Sequence, residues 1–189
     1  WRPCWCCWQR PARRGDSTRA QRFFAIACDA GPDRRTMPTP PAPGAVAMAT
    51  MVSWVCVMRR ILRKIAENCD YELVLVSNQD GLGTDSFPEK DFWPAQFKML
   101  KTLEQENIHF AAIHIDRSFE HEQAPTRKPR TGMLTAYLTE EYDLTNSFVI
   151  GDRMTDIQLA QNLGAKSIFI GESQPEATFS TQDWDEIYA

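Results

Sequence analysis

The chain has 189 residues, 43% hydrophobic and 24% charged, which is ample for one domain with a real core and excludes a disordered chain. No apolar run approaches the length of a bilayer-spanning helix, so no membrane partner is expected. The formal net charge of −4 hides a division: residues 1–66 carry 12 Lys and Arg against 3 acids, and residues 67–189 carry 9 against 22.

The basic segment is unusual in other ways. Seven of the 12 prolines fall within its first 43 residues, and four of the 6 cysteines within its first 28. The chain does not begin with Met, and its opening lacks the sustained apolar stretch of a signal peptide. Cys4, Cys6 and Cys7 are too crowded for a zinc spacing and have no nearby His. The arginines are scattered rather than arrayed on one face, so no nucleic-acid partner is expected. Residues 1–55 are read as an aberrant or disordered Arg/Pro/Cys-rich segment, the product of a mis-started or out-of-frame translation. Residues 56–189 are read as the domain.

Order begins with Met58, Ile61, Leu62 and Ile65, which form one apolar helical stripe. Tyr71–Val76 is dense in Leu and Val and reads as a strand ending at Ser77. The loop "NQDGLGT" follows, its Gly81 and Gly83 permitting dihedrals closed to other residues. A second helix is expected from Pro94, which suits a first turn, with Phe97, Leu100 and Leu103 on its inner face. "HFAAIHI" is a further strand. "TGMLTAYLTEEYD" reads as an amphipathic helix with Leu134 and Leu138 one turn apart. Ser147–Ile150 is a short buried strand closed by Gly151. Thr155 and Gln158 match a capping box opening a helix that carries Ile157, Ala160 and Leu163 and stops at Gly164. "KSIFIGE" is the last strand. This alternation predicts an α/β class with a parallel sheet.

In such a sheet the carboxyl ends of the strands converge on one crevice. Three groups reach it: Ser77 with Asn78, the segment Thr126–Arg130 with Lys128, and Asp152 with Asp156 four residues on. A hydroxyl, a lysine and a carboxylate suit a phosphate beside a divalent cation. Each also has a plainer reading, as a cap, a solvated charge or a turn residue.

"VLVSNQDGLGT", "TRKPRTGML" and "FVIGDRMTDIQLAQNLG" resemble the second, third and fourth motifs of the haloacid dehalogenase-like phosphatases. Within that superfamily they are most similar to the histidinol-phosphate phosphatases, which form the amino-terminal half of a bifunctional histidine-biosynthesis enzyme. The similarity covers about residues 57–189. It implies a Rossmann-like parallel sheet with helices on both faces. It also implies a Mg²⁺-dependent phosphomonoesterase acting on L-histidinol phosphate through an aspartyl-phosphate. On that resemblance Ser77 holds the phosphoryl group, Lys128 screens charge, Asp152 binds Mg²⁺, and Asp156 orients the loop or metal-bound water. Asn78 and Arg127 then lie where they touch substrate. The location implied is cytoplasmic.

The family's first motif, Asp-x-Asp-Gly-Thr after the first strand, is absent. The nearest text is "RFFAIACDAGPDRR", where Asp29 precedes Ser77 by the family's usual interval but Asp33 stands four residues on rather than two. Asp29 is therefore the candidate nucleophile, and the first strand is expected to be missing or poorly replaced, with a hole in the sheet. Nor is there a cysteine in "HIDRSFEHEQAPTRKP", where many relatives carry a zinc loop. His114, Asp116 and His121 read as solvated loop residues, and no structural zinc is expected. The chain stops at "DWDEIYA" without the dehydratase half of bifunctional relatives, as a fragment would. Two alternatives stay open: a sugar-phosphate phosphatase of the heptose-bisphosphate type, and an inactive fragment without a nucleophile. Oligomeric state is not readable from the sequence.

Overall fold

The computed structural model describes residues 20–29 and 58–187. Six strands form one parallel sheet: β1 (Phe23–Ala27), β2 (Glu72–Asn78), β3 (Phe110–Asp116), β4 (Phe148–Gly151), β5 (Lys166–Ile170) and β6 (Phe179–Thr181), in the order β3-β2-β1-β4-β5-β6. The helices are α1, described over residues 58–68, α2 (Glu89–Gln105) and α3 (Met154–Leu163).

β1 corrects the expectation of a missing first strand and of a domain beginning at residue 56. It lies in the middle of the sheet, and all five of its residues are buried. The physical reason is its composition: FFAIA is apolar on both faces, as a central parallel strand must be. Phe24 and Ile26 face one core, with Leu73, Leu75 and Ile150 from the neighbouring strands. Phe23, Ala25 and Ala27 face the other, with Val74, Val76 and Val149. Its entry is stitched on both sides, since Glu72 N–H donates to the Arg22 carbonyl (2.9 Å) and Phe23 N–H to the Ser147 hydroxyl (3.1 Å). The rest of the segment read as foreign, residues 1–19 and 30–55, lies outside the described residues.

The two cores have different cover. Ile61, Leu62 and Ile65 of α1 and Met99, Leu100 and Leu103 of α2 close the first. Leu159, Ala160 and Leu163 of α3, with Leu134 and Tyr137, close the second. The chain winds outward through β1, β2 and β3, then crosses back to β4 beside β1 and winds outward again. That reversal opens a crevice between the carboxyl ends of β1 and β4.

Three local expectations are corrected. α2 starts at Glu89, behind Pro88, so Pro94 sits inside it. Its inner face begins with Phe92, while Phe97 is exposed and stacks on Trp93. The segment after Thr131 is a 3₁₀ turn (Gly132–Tyr137) kinked at Leu134, not an amphipathic helix. Its amides bond three residues back, Leu134 N–H to the Thr131 carbonyl (2.8 Å) and Leu138 N–H to the Thr135 carbonyl (3.1 Å), while Gly132 N–H is held by the Pro125 carbonyl (3.0 Å). Leu134 is buried and Leu138 exposed. Finally, α3 opens at Met154, and its first turn is capped by Asp156, whose Oδ2 accepts the Arg153 N–H (3.1 Å), rather than by Thr155. Gly164 closes α3 in the left-handed conformation, as expected.

A buried central strand makes a measurable difference to stability. Truncating Ile26 to Ala is expected to cost about 2–4 kcal/mol in urea unfolding. The same truncation at exposed Leu138 should cost within about 0.5 kcal/mol.

Candidate active site

The crevice is built from strand ends. Asp29, the second residue past β1, is 5% exposed at its side chain. Its Oδ1 accepts the backbone N–H of Asn78 (2.7 Å) and lies 2.9 Å from Lys128 Nζ. Its Oδ2 lies 3.5 Å from Arg153 Nη1. Lys128 is wholly buried, and its ammonium is shared with Asp156 Oδ1 at 2.8 Å.

Asn78, at the end of β2, fixes the lysine's backbone from both sides. Its Oδ1 accepts the Lys128 N–H (3.0 Å), and its Nδ2 donates to the Lys128 carbonyl (3.2 Å). Asp156 divides its oxygens between Lys128 and the Arg153 amide, and is therefore bound to the site through Lys128. The approach is close because residue 151 is Gly: a Cβ there would meet Asp156 Oδ2 at 2.1 Å.

Ser77 is buried beside Asn78, and its Oγ accepts from Gln79 Nε2 at 2.5 Å. The Cys28 thiol also makes hydrogen-bond contact with Ser77. Asp152 stands exposed at the tip of β4, next to the Arg153 and Asp156 charges. Arg127 is turned to Asp80 in a two-point ion pair (2.6 and 3.1 Å) and donates to the Ser118 carbonyl (2.7 Å). It ties the loop after β2 to the loop after β3.

The electrostatics follow from this packing. Burial alone would push the Lys128 ammonium down, but the Asp156 and Asp29 carboxylates hold it above the ordinary lysine value. Burial raises Asp156, against the opposing pull of Lys128. Asp152 is raised by burial and then by the charge of Asp156. The Cys28 thiol is pushed up to about 12 by burial, with Lys128 opposing, so it stays protonated. Two carboxylates, Asp29 and Asp156, thus share one ammonium, with the Arg153 guanidinium 3.5 Å from Asp29 Oδ2.

Of the residues picked from sequence, Asp29, Asn78, Lys128 and Asp156 are brought into direct contact, with Ser77 and Asp152 on adjoining strand ends. Arg127 is next in sequence but engaged elsewhere. The three residues weighed for zinc are separately occupied: His114 lies against the Tyr137 ring, and His121 stacks on Phe119. Asp116 is not a solvated loop residue; it is buried and accepts from Ser118 and Thr126. Sequence reading missed Gln79 and Arg153. Both lie within the quoted motifs, but only the folded geometry shows which side chain each one meets.

Residues 125–184 match the family model described as HAD-hydrolase-like. The chain is 55% identical to the histidine biosynthesis bifunctional protein HisB of Spirosoma linguale, over 67% of this chain and 38% of that protein. It is 51% identical to the Bacteroides fragilis protein of the same name, over 68% and 37%. The chain is a haloacid dehalogenase-like homologue of HisB. It spans less than two-fifths of the length of these relatives. Solved haloacid dehalogenase-like structures agree in fold. D,D-heptose 1.7-bisphosphate phosphatase from B. bronchiseptica, complexed with magnesium and phosphate, superimposes with a TM-score of 0.64 at 18% identity, covering 88% of this chain and 96% of that one. A HAD-superfamily hydrolase from Geobacter sulfurreducens gives 0.51 at 12% identity, over 89% and 98%.

The raised Asp152 carries a stability consequence for this haloacid dehalogenase-like domain. Its folded pKa lies above the ordinary 3.8, so the folded state holds the proton more tightly than the unfolded chain. Stability therefore falls as pH rises through that window, and the charged form at neutral pH opposes folding. Asp152 is exposed, so solvent screens the effect. Asp152→Asn is expected to raise the metal-free melting temperature only slightly at about pH 7 and to leave it unchanged near about pH 3.5, read by calorimetry at both.

Proposed function

We propose that the chain is a phosphomonoesterase of histidine biosynthesis that hydrolyses L-histidinol phosphate, a small phosphorylated metabolite, in the cytoplasm. The observation that carries this reading is Asp29: the acid that sequence left in doubt is buried at the tip of the central strand and paired with Lys128. Among the described residues, no helix is long and apolar enough to cross a membrane.

The residues divide the work. Asp29 Oδ1 is held by the Asn78 amide and Lys128, which leaves Oδ2 to attack phosphorus. The phosphorus–oxygen ester bond breaks as the aspartyl–phosphate bond forms, and the leaving alkoxide takes a proton from water. Water then attacks the acyl phosphate, returning the carboxylate and releasing inorganic phosphate. Lys128 neutralises phosphoryl oxygens while Asp156 holds it in place, and Ser77 donates a hydrogen bond to the same group.

Asp29 and Asp152 would hold a magnesium ion. The fit rests on the place of Asp152, exposed at the tip of β4 beside the strand that leads to Asp29, whose charge it feels. Two carboxylates suit Mg²⁺, which takes the rest of its shell from water and phosphate. When bound, the ion would offset charge on the phosphoryl group.

A second reading, slow or absent turnover, is favoured by Gly31. The family's general acid stands two residues after its nucleophile, and here that position is Gly31, outside the described residues. Without a general acid, an ester with a poor leaving group should suffer most. p-Nitrophenyl phosphate should turn over about 10²–10⁴-fold faster than an alkyl phosphate such as L-histidinol phosphate. Equal rates would mean that another group supplies the proton.

The deciding experiment is acid quenching with p-nitrophenyl phosphate and Mg²⁺, followed by peptide mass spectrometry. A phosphorylated peptide containing Asp29 is expected, with Asp29→Asn removing both the adduct and at least about 10³-fold of the turnover. Turnover that survives in Asp29→Asn would exclude Asp29 as nucleophile.

A further inference from the structure

Gln79 lies just beyond β2, and the proposed chemistry gives it no task. Its side chain is nonetheless 2% exposed, costly for an amide with four hydrogen-bonding positions. Its backbone is fixed, the N–H donating to the Asp116 carbonyl (2.7 Å) and the carbonyl accepting from Leu82 N–H (3.0 Å). Its Nε2 donates to Ser77 Oγ at 2.5 Å, while its buried Oε1 has no partner. A core glutamine with one orphaned atom would be exchanged for methionine or leucine unless its remaining bond matters.

That bond constrains the serine. A hydroxyl has one proton to donate and two lone pairs to accept with. Gln79 occupies one lone pair, and the Ser77 contact with Cys28 lowers the thiol's pKa, so there the hydroxyl is the donor and the sulfur the acceptor. Sulfur is a weak acceptor, so a charged phosphoryl oxygen at the end of β2 would draw that proton from it.

We propose that Gln79 is a positioning residue: by donating to Ser77 Oγ it reserves the serine's proton for a phosphoryl oxygen. The role rests on the phosphatase reading above, because it needs a phosphoryl group in the crevice. It extends that reading to a residue that never touches substrate. The sign of the hydrogen bond is what matters. A side chain at 79 that could only accept would capture the serine's proton and turn Ser77 away from the phosphate.

The test uses the full chain with Mg²⁺ and inorganic phosphate as probe. In the phosphate-free protein, the Gln79 side-chain amide resonance should shift in Ser77→Ala, a readout independent of turnover. Gln79→Met, of similar size, should weaken phosphate binding about tenfold, the worth of one hydrogen bond. Ser77→Ala should do the same, and the double variant should be no weaker than Ser77→Ala alone. Gln79→Glu, nearly isosteric but an acceptor, should bind phosphate more weakly than Gln79→Met. Thermal melts establish that each variant is folded, and the pair of substitutions at 79 keeps the test usable if one is not. An amide resonance indifferent to Ser77→Ala, or additive losses in the double variant, overturns the role of Gln79 and leaves the phosphatase reading standing. A wild-type chain that binds no phosphate, with the amide resonance still shifting, overturns the phosphatase reading and with it this role.

Discussion

A single buried ammonium holds the crevice together. Lys128 has no access to water, so its charge persists only because Asp29 and Asp156 stand within 3 Å of it. The three groups come from the end of β1, a loop and the first turn of α3, and none of the three elements follows another in sequence. Removing either acid would leave the lysine with half its compensation, and removing the lysine would leave two buried carboxylates face to face. The backbone around them is shaped to this requirement. Asn78 grips the lysine's peptide unit at both ends, and Gly151 gives Asp156 the space to approach.

The same cluster explains why the site has its polarity. An anionic pocket would repel a phosphate, yet here the positive charge is placed at the centre and the negative charges are tied to it. Asp152 is the exception, exposed at the tip of β4 and with its pKa raised by its surroundings. An arrangement of this kind is complementary to a phosphate only together with a cation.

Much of this was legible in the sequence, and for identifiable reasons. β2, β4 and β5 are uninterrupted apolar runs ending in polar loops, and that pattern survives any uncertainty about neighbours. Ser77 lies in the last two residues of β2 and Asp152 directly follows β4, where topology alone brings them to one end of the sheet, while Lys128 lies in the loop before the 3₁₀ turn. β1 has the same apolar pattern, but the arginine, proline and cysteine content around it drew the domain boundary past it. Burial depends on the strand's own five side chains, not on their flanks. The contact between Lys128 and Asp156 spans 28 residues at no helical or strand period, so spacing could not reveal it. The 3₁₀ turn after Thr131 was misread because Leu134 and Leu138 mimic helical spacing, while the Gly132 N–H is taken by the Pro125 carbonyl, a bond that no side-chain pattern announces.

The central place of β1 also bears on how the chain reaches its folded state. The strand hydrogen-bonds to β2 on one side and to β4 on the other, and its first amide meets the Ser147 hydroxyl 124 residues away. Contacts across such a separation require closure of a very long loop, which slows assembly of parallel sheets. Any partly folded state with β1 undocked has two raw edges, at β2 and at β4, each lined with Leu and Val or Ile and free to pair with another molecule. Aggregation during refolding at high protein concentration is the expected consequence of the same strand that completes the crevice.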